Sequence, residues 1–383
     1  MDIAFVSNVV YPYVTGGAEK RIHEIGSRLA ADGHDVTVYG RHFWDGPELI
    51  EDDGMVLRAV APGTDLYVDD RRSISEAIDF GVRLAYPLAR QLRDGDHDVV
   101  VASVFPYFPV LSAALARVGT GTPLVTTWHE VWRDHWDDYL DTLAPCGKLV
   151  ERLTAAVPQH PVAVSGVTAD RLSTLGPDRS TVDVVPNGID MGAIRSAPLP
   201  VDRGETAYDV LFAGRHIPEK NVNTLLAAFD RVAGQYDVTL GIIGEGPRTD
   251  TLRTRAEALD NADAVSFLGF LDEYEAVLGH MRSATVFASP STREGFGIAY
   301  AEAMAADCTV IAADHPESAA GELVGDAGFV VDPSVDAVTA ALERALDGER
   351  PPTEPTARAS EYDWDTIAHD ALSTYERAVN GEW

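Results

Sequence analysis

The stretch SPSTREGFGIAYAEAMA, at residues 289–305, combines residue types suited to binding a phosphorylated sugar. Glu294 lies in a polar loop after a strand-like apolar run, Glu302 lies on the helix-like run that follows, and the glycines of residues 295–297 separate them. Glycines at a helix entrance let backbone N–H groups approach a ligand, and a helix N-terminus attracts anions, above all phosphate. A carboxylate beside such a site is unfavourable unless hydroxyl groups or a cation bind to it. The pattern therefore predicts a ligand that is part phosphate and part polyol, such as a sugar nucleotide.

One of only three lysines in the chain lies near an arginine after the strand-like run at 209–214. A loop containing Pro218 separates Arg215 from Lys220, so both side chains can point at the carboxyl edge of that strand. Together they would clamp a diphosphate, the arginine as a planar fork and the lysine as a point charge. Two surface charges at a helix start are the alternative, but cations are disfavoured at that end of the helix dipole. We therefore favour a diphosphate site.

Two further positions could contribute chemistry from the first half of the chain. Gly16-Gly17 offers a second turn that could face a phosphate, although an ordinary structural turn explains it equally well. The pattern G-x-G-x-x-G is absent after the first strand-like run, which disfavours a nicotinamide enzyme. His129 closes the strand-like run at 123–129, where its imidazole could hydrogen-bond sugar hydroxyls or developing charge. A structural histidine is the alternative there.

The acid pair Asp137-Asp138 does not predict a metal site, because adjacent aspartates are expected by chance in a chain this acidic. The cations at 215 and 220, with a helix dipole, could neutralise a leaving diphosphate without a metal ion. We predict no metal and no cofactor, with a nucleotide-diphosphate sugar as co-substrate.

Apolar runs that alternate with helical patterns predict two doubly wound α/β domains, each with a parallel sheet. The predicted strands cover residues 2–7, 35–40, 98–104, 123–129, 161–165 and 182–186 in the first half, and 209–214, 238–244, 264–270, 284–289, 308–313 and 328–332 in the second. Predicted helices begin near Ala18, Glu219, Pro247, Asp272, Ile298 and Trp364. Ligands of such sheets bind outside the carboxyl ends of the strands, so we expect the ligand in a cleft between the halves.

The chain length of 383 residues also suits two domains. Prolines, glycine and charge without periodicity predict a linker at 189–208. The predicted domains are therefore 1–188 and 209–362, followed by a terminal segment at 363–383.

The net charge of −31 is extreme, and the acids are spread along the chain rather than gathered in a tail. Dense acidic surfaces keep proteins soluble at high salt, so we predict a protein of a salt-loving microbe. Nucleic acid is disfavoured as a partner, because no basic stripe is present. The sequence shows no signal-peptide pattern and no run long enough for a membrane span. With only Cys146 and Cys308, both expected to be buried, these features predict a cytoplasmic protein that could work at the inner face of the membrane.

Taken in order, five motifs resemble those of the retaining glycosyltransferases of family 4, also called glycosyl transferases group 1. The motifs are YPYVTGGAEK, GHDVTVYG, VVPNGID, GRHIPEKN and EGFGIAYAEAMA. The resemblance covers nearly the whole chain. It implies the GT-B fold, in which two Rossmann-like domains face a cleft and a C-terminal helix crosses back to the first domain.

The resemblance also implies roles for single residues. The implied catalytic residues are Glu294, which would contact donor-sugar hydroxyls, and His129, which would lie at the donor sugar. The implied donor-binding residues are Arg215, Lys220, Glu302, Gly295, Phe296, Gly297, Gly16 and Gly17. Within that set Glu302 would bind the ribose hydroxyls, and Arg215 and Lys220 the diphosphate.

The implied reaction moves a hexose-type sugar from a nucleotide sugar to an acceptor hydroxyl, on a glycolipid, a lipid-linked acceptor or another glycan. Three alternatives stay open: a sugar-nucleotide epimerase, a glycan phosphorylase, and a non-catalytic two-domain sugar-binding protein. Contact with a membrane surface is also open. Arginines in the first half could meet anionic lipid head groups, although solvated helix charges explain them as well. They are Arg71, Arg72, Arg83, Arg90 and Arg93.

Overall fold

A computed structural model of the chain describes residues 1–14, 16–68 and 71–383. The chain forms two compact units, one built from Met1–Pro186 together with Trp364–Trp383 and the other from Asn187–Asp363. The segment predicted as a linker belongs to the second unit and contains a helix, Met191–Ser196. Asp190 starts this helix by accepting a hydrogen bond from the Ala193 N–H at 2.8 Å.

The first unit is built on a mostly parallel sheet. Its strands are β1 (Asp2–Val6), β2 (Asp35–His42), β3 (Leu49–Asp52), β4 (Met55–Pro62), β7 (Val99–Val104), β8 (Leu124–Trp128), β9 (His160–Ala163) and β10 (Asp183–Val184), while β5 (Tyr67–Val68) and β6 (Arg71–Arg72) pair separately. The sheet order is β10-β9-β8-β7-β1-β2-β4-β3, and only β3 runs antiparallel to its neighbour. In register, Ile3 of β1 lies between Val36 of β2 and Val99 of β7.

Successive residues of these strands face opposite sides of the sheet, and each side has its own core. The helices that precede the second unit are α1 (Gly17–Ala31), α2 (Ile74–Asp94), α3 (Phe108–Ala116), α4 (His135–Leu140), α5 (Ala144–Ala156) and α6 (Gly166–Ser173). Ala4 and Val6 face the core that α2, α3 and α5 cover. Ile3 and Phe5 face the opposite core, which α1 covers.

The second unit has a fully parallel six-stranded sheet with the order β13-β12-β11-β14-β15-β16. Its strands are β11 (Val210–Ala213), β12 (Leu240–Ile243), β13 (Val265–Gly269), β14 (Val286–Ser289), β15 (Thr309–Ala313) and β16 (Gly328–Val331). Its helices are α7 (Met191–Ser196), α8 (Val222–Ala233), α9 (Thr249–Glu257), α10 (Tyr274–Ser283), α11 (Ile298–Ala305), α12 (Ala320–Val324), α13 (Val335–Leu346) and α14 (Pro355–Ser360). On one face Val286 and Ala288 pack with α8 and α13. On the other, the ring of Phe287 packs against Tyr300 of α11.

The last helix, α15 (Trp364–Asn380), returns to the first unit. Trp364, Ile367 and Tyr375 are buried in the core beside Ile3 and Phe5. The first unit is thus assembled from the two ends of the described chain, as the resemblance implied.

The structure confirms the two doubly wound α/β domains, and each predicted strand run overlaps an observed strand. The hairpin of β3 and β4 was not predicted. Cys308 is buried as expected, but Cys146 is exposed, because it lies on the outward side of α5. Within the parts of the chain that the structure describes, none of the helices combines the length and the apolarity needed to cross a membrane.

Candidate active site

The second unit brings two of the predicted loops together at the carboxyl edge of its sheet. β11 and β14 are neighbours, but the strand order runs from them in opposite directions, to β12 and β13 on one side and to β15 and β16 on the other. At such a switch point the connections leave on opposite faces, so a crevice opens between the loops that follow the two strands. Residues 214–220 follow β11 and residues 290–297 follow β14. Both predicted loops therefore border one crevice.

Lys220 crosses this crevice to Glu294. It ends the short 3-10 helix Pro218–Lys220, and its stem passes Gly214, where an added Cβ would lie 3.8 Å from the lysine Cε. The lysine Nζ lies 2.5 Å from Glu294 Oε1. Only 22% of the Lys220 side chain and 11% of the Glu294 side chain are exposed, so the two charges attract more strongly than they would on an open surface. The structure thus pairs two residues that are 74 positions apart in the chain.

Backbone hydrogen bonds hold the same two loops in place. The carbonyl of Glu219 accepts a hydrogen bond from the Thr292 N–H at 2.8 Å. The N–H of Glu294 donates to the Glu317 carbonyl at 3.3 Å, and its own carbonyl accepts from the Ala319 N–H at 3.0 Å. The Glu294 carboxylate is therefore attached to a backbone that neighbouring loops fix on both sides.

The turn at residues 295–297 needs glycine for a steric reason. Gly297 has a φ of +97°, and a Cβ at this position would approach the ring of Tyr300 to 2.7 Å. Glycine alone meets both conditions without strain. Phe296 is 5% exposed, and its ring packs against Tyr362 with centroids 5.5 Å apart. Any contact that Phe296 makes with a ligand must therefore come from its backbone.

Two tyrosines lie near the carboxylates of the site, and neither was predicted. The Tyr300 hydroxyl donates to the Ser289 carbonyl at 2.7 Å, and burial with the nearby Glu294 charge raises the pKa of Tyr300 well above its usual range. Tyr274 donates to Glu302 Oε1 at 2.5 Å. Burial of this hydroxyl, followed by the Glu302 charge, raises the pKa of Tyr274 well above its usual range, although its ring is partly exposed. Both tyrosines are therefore neutral donors at physiological pH.

Glu302 itself is only 4% exposed, on the helix α11 that begins directly after the turn at 295–297. A buried carboxylate requires donors, and the Tyr274 hydroxyl is one of them. The sequence offered a signal for Tyr274, since it opens the helix that follows β13 at the same edge of the sheet. Without knowledge of the strand order, that edge could not be identified as shared.

Arg215 lies in the same loop as Lys220, but its side chain is exposed. Within the described residues this side chain makes no hydrogen bond or ion pair, so the structure does not bring it to the Lys220–Glu294 pair. The predicted arginine and lysine clamp stays a prediction.

The first unit holds the other predicted residues. Gly16 precedes α1 in extended conformation and Gly17 is the first residue of the helix. An added Cβ on Gly16 would clash with the carboxylate of Glu19. This turn follows β1, which neighbours β7 at the switch point of the first sheet, where ligands of such sheets bind.

His129 follows β8 and is half-buried. Its Nε2 lies 3.1 Å from the Ser103 hydroxyl. Burial and the positive charge of Arg21 lower the pKa of His129 to about 3, so its imidazole is neutral near neutral pH. Below it lies a cavity of about 10 Å³ that Arg21, Ser103 and Tyr375 help to line, which is enough space for one water molecule. His129 can therefore act as a hydrogen-bonding group but not as a cation.

The sequence predicts no metal site at Asp137 and Asp138, and the structure describes the side chain of only the first of them. Asp137 accepts a hydrogen bond from Lys148 Nζ at 2.7 Å, and the Asp138 side chain lies outside the described residues. Among the residues that the structure does describe, no group of three or more histidine, cysteine and acid side chains is arranged to hold a metal ion.

Two family models match the chain in succession. Residues 15–192 match the model described as Glycosyltransferase Family 4, and residues 200–362 match the model described as Glycosyl transferases group 1. The two matches cover most of the first and the second unit respectively.

Relatives of known activity match over almost their whole length. The phosphatidyl-myo-inositol mannosyltransferase of Mycolicibacterium smegmatis is 28% identical over 391 residues, which cover 96% of this chain and 92% of that protein. The glycogen synthase of Mycobacterium tuberculosis is 26% identical over 402 residues, which cover 100% of this chain and 96% of that protein.

Solved structures share the fold. Sucrose-phosphate synthase from Thermosynechococcus elongatus superposes with a TM-score of 0.79 at 18% identity, covering 99% of both chains. Anabaena HepE in complex with UDP and glucose superposes with a TM-score of 0.72 at 20% identity, covering 98% of this chain and 99% of that one. These likenesses confirm the predicted fold class for the two α/β domains.

Proposed function

Because this chain belongs to glycosyltransferase family 4, and is therefore a transferase enzyme, we propose that it moves a hexose-type sugar from a nucleotide-diphosphate sugar to an acceptor hydroxyl with retention of anomeric configuration. The observation that carries this proposal is the shielded Lys220–Glu294 pair at the switch point of the second sheet, beside the turn at 295–297 and the buried Glu302. A cation, a glycine turn at a helix start and two carboxylates suit the phosphate and hydroxyl groups of such a donor.

The Lys220–Glu294 pair suggests how the donor enters. In this pair each charge neutralises the other across 2.5 Å. An incoming diphosphate would give Lys220 a doubly charged partner and would release Glu294 to accept hydrogen bonds from sugar hydroxyls. Exchange of partners avoids leaving either charge buried alone, which would be costly. Arg215, exposed in the same loop, would add a second cation once a diphosphate is present.

The chemical step follows from the same contacts. The bond between the anomeric carbon and the diphosphate oxygen breaks, and Lys220 with the backbone N–H groups of 295–297 stabilises the charge that develops on the leaving group. The acceptor hydroxyl attacks the anomeric carbon from the face that the diphosphate leaves, and its proton passes to a diphosphate oxygen. Retention then needs no covalent enzyme intermediate. His129, Gly16 and Gly17 keep their predicted donor contacts within this proposal, with the neutral His129 serving as a hydrogen-bonding group.

The acceptor that we propose is the hydroxyl of a glycolipid or another lipid-linked acceptor. Support comes from the names of relatives, among them a GDP-mannose-dependent mannosyltransferase of Mycobacterium tuberculosis that acts on phosphatidylinositol monomannoside and is 28% identical. GDP-mannose is accordingly the first donor to test. A soluble glycan is the second acceptor class, since glycogen synthase is also among the relatives.

The test compares matched variants of purified protein in a transfer assay. Lys220→Met and Glu302→Gln should each lower kcat by about 10²–10³-fold, because each removes a contact to the leaving group or to the donor. Arg231→Met and Glu275→Gln are the controls, since Arg231 forms an exposed pair with Asp336 and Glu275 is exposed on α10. Their activity should stay within about twofold of the parent.

Product analysis decides the reaction type. NMR of the product should show the anomeric configuration of the donor. Inversion would overturn retention, and turnover that is equal in Lys220→Met, Glu302→Gln and the controls would overturn the site. Conversion of the donor without acceptor into an isomeric sugar nucleotide would indicate an epimerase, and dependence on free phosphate would indicate a phosphorylase.

A further inference from the structure

One layer of the first unit holds most of the large apolar side chains that are exposed in the described parts of the chain. The described parts of the chain have sixteen large apolar side chains that are exposed, and nine of them lie on or directly beside α2, α3 and α5. These helices have only 21, 9 and 13 residues. All three cover the same face of the first sheet, so their outward sides form one surface, which we call the α2-α3-α5 face.

Helix α2 contributes a continuous stripe. Ile78, Val82 and Tyr86 are 42%, 71% and 73% exposed, and their spacing of four residues places them on neighbouring turns of the same side. The opposite side of the helix is buried in the core through Phe80 and Leu84. A soluble helix normally carries polar residues on its outward side, so this stripe is unexplained by the fold.

The neighbouring helices extend the apolar surface. Leu115, near the end of α3, is 72% exposed, and Val118, just beyond it, is 69% exposed. On α5, Leu149 and Leu153 are 57% and 50% exposed and one turn apart. An added Cβ on Gly81 of α2 would lie 3.1 Å from Phe108 and from Ser112 of α3, so these two helices pack closely.

The α2-α3-α5 face also differs from the rest of the chain in charge. The three helices carry five cations, which are Arg83, Arg90, Arg93, Lys148 and Arg152. They carry four carboxylates, which are Glu76, Asp79, Asp94 and Glu151. Glu76 and Glu151 are buried, so the outward side presents five cations and two carboxylates in a chain whose net charge is −31. Acids border this face, since Lys148 binds Asp134 and Asp137, but they do not lie on its helices.

We infer that the α2-α3-α5 face docks on the surface of a membrane that contains anionic lipids. Apolar side chains between arginines suit the boundary of head groups and acyl chains, where arginine stems can lie along the apolar region with their guanidinium groups at the phosphates. A second copy of this chain is a poorer occupant, because pairing the same face of two copies would bring their five outward cations against one another. Arg71 and Arg72, which the sequence also suggested for this contact, have side chains outside the described residues.

This inference deepens the proposed function, because a lipid-linked acceptor would lie in the same membrane, but docking itself requires no transfer. Buried hydrogen bonds to Glu76 hold the inner side of α2 in place. Arg41, 1% exposed, donates to Glu76 Oε1 at 2.6 Å, and Asn8 donates to the same carboxylate at 3.1 and 3.2 Å. Outward substitutions on α2 should therefore leave the fold intact.

The experiment measures sedimentation of the full chain with phosphatidylcholine vesicles that contain either none or about 40% phosphatidylglycerol, at the lowest salt that preserves its circular dichroism. The parent protein should sediment with the anionic vesicles. The double variant Val82→Ser/Tyr86→Ser should lose about tenfold in binding, because it removes the most exposed apolar side chains. The triple variant Arg83→Gln/Arg90→Gln/Arg93→Gln should lose the preference for anionic over neutral vesicles.

Matched controls carry the same changes elsewhere. Leu49→Ser/Val379→Ser alters two exposed apolar residues of the same unit, and Arg195→Gln/Arg231→Gln/Arg255→Gln alters three exposed arginines of the other unit. Both control variants should bind vesicles like the parent.

Three results would disprove docking. The parent could stay in solution, or the variants of the α2-α3-α5 face could bind as well as their controls. Light scattering could also show a dimer that the Val82→Ser/Tyr86→Ser variant dissociates. The sedimentation assay contains no sugar donor, so it tests docking independently of transfer. A protein that binds vesicles but transfers no sugar would contradict only the proposed function. A protein that transfers sugar but does not bind vesicles would contradict only docking.

Discussion

The imidazole of His129 is kept uncharged by its surroundings. It lies beside Ser103 and near the buried guanidinium of Arg21, which donates to the Val185 carbonyl at 3.0 Å. Burial lowers the pKa of Arg21 itself to about 10, and Arg21 still carries its charge at neutral pH. A second positive charge at His129 would therefore be repelled as well as desolvated.

This arrangement predicts a pH dependence of stability. The unfolded chain binds a proton at His129 below pH of about 6.5, whereas the folded chain resists it down to about 3, so stability must fall as the pH drops through this window. At about pH 5 the loss from this group alone is about 2 kcal/mol relative to neutral pH. His129→Gln should remove that part of the loss.

The measurement is urea unfolding followed by tryptophan fluorescence, which reports the first unit because all six tryptophans lie in it. His369→Gln, at an exposed position on α15, is the control and should keep the parent's pH dependence. An equal pH dependence in both variants would show that His129 is protonated in the folded protein.

Single residues could be predicted where a local sequence pattern marks them, but not where their contacts join distant parts of the chain. Glu294 and Lys220 were predicted from local patterns, and the structure adds that they form one pair. Tyr274 was missed because its partner Glu302 follows a different strand, so their contact depends on strand order rather than spacing. The low pKa of His129 could not be predicted from the sequence for the same reason, because Arg21, which contributes to it, is more than a hundred residues away in the chain.

Among the elements, the helix α11 depends on the turn that precedes it. Gly297→Ala should destabilise the second unit by about 1–3 kcal/mol, because alanine disfavours the left-handed φ of +97° and its Cβ would press on Tyr300. Donor binding should fall in addition, since the N–H groups of the turn would shift.

Urea unfolding followed by circular dichroism, together with calorimetric titration of a nucleoside diphosphate, checks this prediction. Gly234→Ala is the control, because Gly234 follows α8 with a φ of −69° and has no close neighbour for a Cβ. Parent-like stability and affinity in Gly297→Ala would show that the turn does not need glycine.

Long apolar runs allowed most strands to be predicted, because buried parallel strands read as continuous β-branched segments. The hairpin of β3 and β4 had a local signal that went unused. Asp53 and Gly54 have φ values of 45° and 78°, which a two-residue type I′ turn requires, and Asp-Gly is a preferred sequence for it. The short helix α7 was hidden in a segment rich in proline and charge, and it packs against α10, a contact that no local pattern encodes.

For the molecule as a whole, the net charge of −31 is the dominant property. Repulsion among surface carboxylates destabilises the compact state, and added salt screens it. We expect the thermal midpoint to rise between about 0.15 M and about 2 M KCl, by about 2–4 °C for each kcal/mol of repulsion removed.

Sucrose at matched water activity is the control, because it stabilises proteins without screening charge. A midpoint that rises equally with sucrose would attribute the effect to solute exclusion. A flat or falling midpoint in KCl would contradict adaptation to high salt.

The return of α15 to the first unit has a consequence for the order of events during synthesis. Trp364, Ile367 and Tyr375 complete a core whose other members lie before residue 186. The second unit has all of its residues in one continuous segment, so it can complete its core without α15. The first unit completes its core only when α15 is added, although most of its residues are made before those of the second unit, so we expect partly folded chains to expose this core as typical chaperone clients do.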